Sequence, residues 1–532
     1  MKLSRHWEFL LLQWAGIFIV YTLRVNISVA VVKMQPELGW SEVEEGLVLS
    51  SFYWGYIAGQ IPTAVALQKN WIKCTTIFGI SIFVPAVLTM LVPWASRESF
   101  NLALAMRCVI GFFESASFPT AYFFFRKWYP ESERVVMIST FLSASYFGEI
   151  IGFLLSGWLL KEFGWPWVFY SFGALGILWY PFWLMFAYEN PRDHPKITKA
   201  DLDYITAGRY ALVDDGEDQG FVTLEGAPKG LLNPTLKKMN ITDNTSSFAS
   251  GLDSFIDYNL VEPLVQTTEG ENEEEDVSLV PTEQRLLSEE DFMQRQREQS
   301  KAAHVSISRI PWGEMVQSKM IWTLMFNSFC LGWTLFTLLS EVPSYLHSEK
   351  FGFSAGEAGL YSTIPFTCLF IGAIGAGYVM RVLERGYGFS KWQQRTFSVF
   401  LYMIAGPFLL LMCMFSDGKW AVFILLCGAT GLTGFNTTGI GPAYLDVVPR
   451  FSGFVNTIAN SLAAGAGILG PMVASALLVK YGDTAGWDYL FGITFILNCC
   501  GFLAWYFFAE VEINQLINTP ATPKLADRRE KI

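Results

Sequence analysis

Twelve runs of about 20 mostly apolar residues constrain this 532-residue chain more than any other feature. They lie near 8–32, 47–67, 75–95, 101–125, 136–160 and 166–188, and resume after a polar gap near 319–346, 358–380, 396–416, 419–445, 452–480 and 486–509. A run of that length crosses the hydrocarbon core of a bilayer as a helix, because only a helix satisfies its own backbone polar groups there. Hydrophobic residues make up 52% of the chain and charged ones 16%, against roughly 25% charged in a soluble domain. The expected fold is therefore an all-α membrane protein with twelve transmembrane helices in two six-helix bundles, numbered below as spans 1 to 12. A soluble enzyme, a nucleic-acid binder and a disordered scaffold are disfavoured. Six spans, a gap and six more is also how many secondary transporters are built. The expected divisions are an N-terminal bundle over 1–188, an acidic and largely disordered loop over 189–312, a C-terminal bundle over 313–510 and a tail over 511–532.

Charge is distributed unevenly. The net charge is −11, yet residues 201–300 alone hold 22 Asp/Glu against 7 Lys/Arg, which leaves about +4 on everything else. The acidic balance thus describes one hydrophilic segment, and says nothing about nucleic acid or acidic substrates. Short loops on one side carry Lys2 and Arg5, Lys69 and Lys73, Arg126, Lys127 and Arg134, Arg381, Arg385, Lys391 and Arg395, and Arg450. Loops on the other side are poorer in base, as where Lys33 faces Glu37, Glu42, Glu44 and Glu45. The positive-inside bias puts both termini and the acidic loop in the cytoplasm. The sequons at Asn240 and Asn244 should then be silent. Span 1 begins within a few residues of the start and is expected to be an uncleaved anchor. The eight cysteines fall in or beside apolar runs, with no CxxC and no histidine nearby, so they imply neither a disulfide framework nor a metal site.

Ionisable groups inside a bilayer are costly and suggest function by default. The chain places Arg24 in span 1, Arg107 and Glu114 in span 4, Glu149 in span 5, Glu341 toward the outer end of span 7, and Asp446 at the cytoplasmic end of span 10. Tyr21, Arg24 and Ser28 share one helical face. Arg107 and Glu114 share a face but stand two turns apart, so each needs another partner, water or a ligand. Asn327, Thr334 and Glu341 form a polar stripe on span 7, with Thr337 one turn below Glu341. A buried arginine can also be a structural clamp, and Glu114 can be its counter-ion. Small residues recur every four positions at Ser51, Gly55 and Gly59, and at Ala463, Gly467 and Pro471, the spacing of close helix packing.

Several segments together resemble the sialin, vesicular glutamate and sodium/phosphate cotransporter family, anion–cation symporters of the major facilitator superfamily. Ser51-Phe-Tyr-Trp-Gly-Tyr56 with Gln60-Ile-Pro62 is similar to its span 2 signature. Arg107-Cys-Val-Ile-Gly-Phe-Phe-Glu114 with Phe118-Pro119 is similar to its span 4 motif, and Lys127-Trp128-Tyr-Pro130-Glu-Ser-Glu133-Arg134 to the loop that follows. Val168-Phe-Tyr170, Leu445-Asp446-Val-Val-Pro449-Arg450, Asn460, Gly467 and Pro471 carry the likeness further. The resemblance implies anion recognition by Arg24 and Arg107 and cation or proton coupling at Glu114. Physical chemistry points the same way: two guanidiniums in a dry cavity attract an anion, and a carboxyl taken out of water favours the neutral form that a proton carrier needs.

The departures narrow the substrate. Leu49 stands where glutamate-transporting members carry a histidine, Leu331 where they carry an arginine, and Tyr444 where a histidine is frequent. Sialin has a further acidic residue where this chain has Ile110. The loop after span 2 lacks its usual acidic and glycine positions, and Arg381 replaces a frequent aspartate, which leaves the usual cytoplasmic gating contacts in question. The stretch from Gly164 to Gly173 is most like the plant and algal phosphate-transporting branch.

The expectation is an alternating-access secondary transporter, not an enzyme, moving inorganic phosphate or an organic carboxylate with H+ or Na+. Its substrate-binding residues would be Arg24, Arg107, Tyr21 and Thr334, and its coupling residues Glu114, Glu149 and Glu341. No cofactor is called for. The plasma membrane and an organelle membrane (lysosome, vacuole or plastid) both remain open, and the 207–305 loop offers a surface for a cytoplasmic partner. The alternatives are a zwitterionic or cationic solute on the same fold, or a non-transporting sensor.

Overall fold

The structure is a computed structural model that describes residues 4–68, 71–130, 133–206, 312–414, 418–448 and 452–509. The acidic run from Glu269 to Asp276, Asn240 and Asn244, and the tail over 511–532 lie outside the described residues. Helices occupy all twelve expected positions. Eleven segments among the described residues are long and apolar enough to cross a membrane. Span 2, Glu42–Gln68, falls short of that apolarity. The reason is visible in its buried face, where Ser50, Ser51, Tyr53 and Gln60 point inward instead of into lipid.

The packing repeats itself six spans apart. Span 1 (Arg5–Leu38) packs on spans 5 (Arg134–Glu162) and 6 (Trp165–Phe186), span 2 on span 4, and span 3 (Cys74–Glu98) on spans 4 and 6. In the second half span 7 (Lys319–His347) packs on spans 11 (Ser452–Tyr481) and 12 (Asp483–Phe508). Span 8 (Ala355–Tyr387) packs on span 10, and span 9 on spans 10 and 12. The halves meet where span 2 lies on span 11, span 5 on span 8 and span 1 against span 7. Those pairings are what a two-fold relation between repeats requires.

Three spans are broken, each just ahead of a proline. Span 4 runs as Phe100–Glu114 and Ser117–Trp128, with Pro119 after the break. Span 9 runs as Lys391–Met403 and Ala405–Met414, with Pro407. Span 10 runs as Lys419–Thr433, a 3-10 turn at Gly434–Thr438, and Ile440–Val447, with Pro442. Proline has no N–H for the carbonyl four residues back and crowds it, so the helix yields there. Proline is not sufficient, since Pro85 and Pro365 sit inside continuous helices. In span 4 the break leaves Glu114 as the last residue of its segment, buried between the two pieces.

Spans 2 and 4 touch backbone to backbone. A Cβ on Gly55 would overlap the Cys108 carbonyl, and one on Gly111 would overlap the Phe52 carbonyl. Only glycine permits that approach, and it brings Phe52 and Arg107 side by side. At the basic end of the molecule, Lys127 pairs with Glu189 at 2.8 Å and Arg395 with Asp446 at 2.9 Å, each within its own half. Beyond span 6 a short helix, Lys199–Thr206, is held by Tyr204 donating to Glu133 at 2.8 Å.

Candidate functional site

The site is assembled where the two halves meet. A narrow cavity of about 10 Å³ is walled by Arg24, Ile27 and Ser28 of span 1, by Leu49, Phe52 and Tyr53 of span 2, by Arg107 of span 4, and by Leu339 and Ser340 of span 7. Its only charged wall groups are the two guanidiniums. Span 1 delivers Arg24 and Ser28 from one face, four residues apart, as their spacing predicts. Arg24 is wrapped in aromatic rings, its guanidinium carbon lying 4.7 Å from the centroid of Tyr21, 4.9 Å from Phe52 and 5.2 Å from Tyr56. Arg107 shares the Phe52 ring at 5.4 Å. Cation–π contacts of this kind hold an arginine in place without using its N–H donors.

Those donors are left over. Arg24 has Nε and Nη2 buried without a hydrogen-bond partner, and Arg107, 2% exposed, has Nε in the same condition. Arg107 forms no ion pair among the described residues. Arg24 has one counter-charge, Glu114, whose Oε2 lies 3.5 Å from Nη2. That separation makes a charge contact, but neither Glu114 oxygen accepts a hydrogen bond, although the residue is 0% exposed. Buried polar groups are normally satisfied, and a buried ion pair needs good hydrogen-bond geometry to offset its desolvation. This constellation falls short of both, so it is arranged for something besides stability.

The expected residues separate into three sets. Arg24, Arg107, Glu114 and Tyr21 come together as one cluster, with Glu114 supplied to Arg24 from another helix. Glu149 forms no ion pair and no hydrogen bond among the described residues, yet stands within the electrostatic reach of Arg24. Thr334 and Glu341 lie elsewhere. Thr334 donates to Asn498 Oδ1 at 3.0 Å inside the second half, and is absent from the cavity wall. Its neighbour on the same stripe, Asn327, donates to the Thr323 carbonyl and accepts from Tyr402 at 3.2 Å. That stripe faces spans 9 and 12, one helical face away from Leu339 and Ser340. Glu341 sits with Glu45 and Glu42 at the far end, where Ser344 donates to Glu45 at 2.9 Å across the halves.

Three contributors escaped the sequence reading as site residues: Phe52, Tyr53 and Ser340. The first two lie inside the span 2 signature; the polarity of that span signalled Tyr53, whereas Phe52 carried no signal beyond its place in the signature. Ser340 carried none, because a lone serine in an apolar run is unremarkable. Of the positions noted as departures, Leu49 lines the cavity, whereas Ile110 is buried in the first half and Leu331 is not in the wall.

Comparison with known proteins agrees with this architecture. Residues 14–471 match the profile described as Major Facilitator Superfamily. Vesicular glutamate transporter 1 of Xenopus tropicalis is 25% identical over 530 residues, covering 96% of this chain and 76% of the relative. "Probable anion transporter 1, chloroplastic" of Oryza sativa subsp. japonica is 24% identical over 507 residues, covering 94% and 77%. Among solved structures, a bacterial homolog to the human lysosomal transporter Spinster, in an inward-facing and occupied conformation, superposes with a TM-score of 0.61. Its identity is 14%, with 95% and 97% of the two chains covered. A D-xylose-proton symporter gives 0.61 at 11% identity, covering 96% and 99%. With the family profile spanning most of the chain and the fold repeated in these neighbours, the protein is a multi-pass membrane protein belonging to the Major Facilitator Superfamily.

Proposed function

We propose that this protein is a secondary active transporter of a small anion, binding it in the cavity between the halves and exchanging access by rocking one half against the other. The observation that carries the reading is the cavity wall, where two buried arginines with unpaired donors face a space lined by no carboxylate. Guanidinium donors suit oxyanions, since a planar fork matches carboxylate and phosphate geometry. The relatives' printed names, vesicular glutamate and chloroplastic anion transporters, support the same class. A zwitterionic or cationic solute fits less well, because none of the three intramembrane glutamates forms part of the wall.

Arg24 and Arg107 are the proposed substrate ligands, Tyr21 holds Arg24 in its orientation, and Glu114 is the proposed coupling group. With the cavity empty, Arg24 supports the Glu114 charge. When an anion takes over that guanidinium, the carboxylate loses its counter-charge and a proton becomes the alternative. Anion binding and proton binding are then linked reciprocally. Glu149, also in the field of Arg24, is the second candidate. Thr334 is proposed as a packing residue of the second half. The halves correspond to 1–188 and 313–510, with the basic end in the cytoplasm.

The test is uptake by purified protein in liposomes of radiolabelled inorganic phosphate, L-glutamate and a small dicarboxylate under imposed pH or sodium gradients. Accumulation of at least one anion, lost in Arg107→Ala, is the expected result. Accumulation of a cationic solute alone would overturn the assignment.

A further inference from the structure

We propose that Tyr53 is the positioning residue that closes the cavity, and that Gly467 is the seat it closes onto. Tyr53 belongs to the first half, is 4% exposed, and forms part of the wall with Arg24 and Arg107. Apart from Phe52 beside it, its other ring contacts belong to the second half. The ring lies against span 11, where a Cβ on Gly467 would stand 2.8, 2.9 and 3.0 Å from ring atoms Cε1, Cδ1 and Cγ. Phe336 of span 7 packs on it with centroids 5.0 Å apart, and Ser340 of the same span lines the cavity beside it. One side chain therefore touches the anion space on one face and two spans of the opposite half on the other.

The ring has nowhere to retreat. Phe52 holds it edge-on at 5.2 Å from its own side, and Phe336 blocks the opposite side. A methyl at position 467 would reach back as far as Cγ, close to the ring's root, so a rotamer adjustment does not relieve it. Spans 2 and 11 would have to separate. In an alternating-access cycle this contact lies between the two moving bodies, so it must form and release at each turnover. Of the three small residues spaced along span 11, Gly467 is the one beneath the ring, which gives that spacing a specific use. The inference rests on the transport reading of the same cavity.

The experiment uses Gly467→Ala and the double variant Tyr53→Leu/Gly467→Ala in the full chain, purified and reconstituted. Two readouts are taken. Nitroxides at Ile61 and Leu462, one on each half, report the separation of the halves without any substrate, in a cysteine-free background. Counterflow of phosphate and L-glutamate reports exchange, and equilibrium binding of the same probes reports affinity.

Gly467→Ala should shift the distance distribution to longer values and slow exchange by about tenfold or more, the scale of an overpacked contact. Binding of the probe anion should change less than exchange does. Trimming the ring in the double variant should return the distances toward those of the parent. Parent-like distances in Gly467→Ala would overturn the proposal, as would a double variant as open as the single one, since the methyl would then act on something other than Tyr53. If neither probe is bound or exchanged by the parent, the anion assignment fails while the distance measurement still decides the role of Tyr53.

Discussion

Span 4 with span 1, and span 7 with spans 9 and 12, hold two polar regions buried among the described residues, and they differ in kind. On span 7, Asn327 and Thr334 find neutral partners in Tyr402 and Asn498 within one half, with Asn498 Nδ2 left over. On spans 1 and 4, Arg24, Arg107 and Glu114 are more costly to bury, yet retain donors and acceptors with no hydrogen-bond partner. Helical spacing raises both regions to notice equally. What separates them is charge: the Asn327–Tyr402 and Thr334–Asn498 bonds are neutral and orient helices, although Asn498 Nδ2 lacks a partner, whereas unpaired charged groups hold binding capacity for a guest.

The largest effect that would break this comparison is at Arg107. Arg107→Lys keeps the charge but loses the fork and the stacking on Phe52, and anion uptake should fall about 10- to 100-fold, the worth of one or two charge-assisted hydrogen bonds. Near-normal uptake by the lysine variant would put the anion's ligand elsewhere.

Next is Glu114→Gln, which removes the counter-charge of Arg24 and mimics a protonated acid. Counterflow should persist, while accumulation driven by a pH gradient should be lost. Full pH-driven accumulation would reduce Glu114 to a structural counter-ion and bring Glu149 forward.

Thr334→Val is the control from the span 7 region. It should leave half-saturating anion concentrations unchanged and lower thermal stability modestly, by about 1–3 kcal/mol for the Asn498 Oδ1 left unpaired. A selective change in substrate affinity would return Thr334 to the site and erase the contrast.

The smallest effect lies outside the membrane, at Glu189. Burial alone would push its carboxyl up, but Lys127 and the Thr75 N–H hold it below the usual carboxylate range. A depressed carboxylate stabilises the fold above its unfolded value, and that contribution disappears as pH falls through the folded value. The pair is partly exposed, so Glu189→Gln should cost less than about 1 kcal/mol at neutral pH and less still in acid. Melting curves at pH 7 and pH 4 would measure this, and an equal loss at both would show that the pair carries no charge-dependent stability.

Much of the fold was legible because the bilayer imposes it. A run of about 20 apolar residues has one solution in hydrocarbon, and all twelve runs took it. The arginines were legible because charge is rare there. Less legible was everything that depends on which helix faces which. Arg24 and Glu114 stand 90 positions apart in sequence, and nothing in either segment announces the pairing. The partner of Thr334 was not legible, because a 3.6-residue period identifies a face without saying what lies opposite. Tyr53 and Gly467 were each visible, one in a family signature and one in a small-residue repeat, but their meeting belongs to the tertiary structure. The breaks in spans 4, 9 and 10 were legible only in part, since prolines elsewhere leave their helices intact.

The glycine contact between spans 2 and 4 has a mechanical consequence. With Gly55 against the Cys108 carbonyl and Gly111 against that of Phe52, no side chain lies between the two backbones there to act as a cushion. The two helices form a stiff beam carrying Arg107 on one member and Tyr53 on the other. On the proposed reading, a force that an anion exerts on the guanidinium would reach the tyrosine ring without slack, and the two ends of this lever would move as one rigid body.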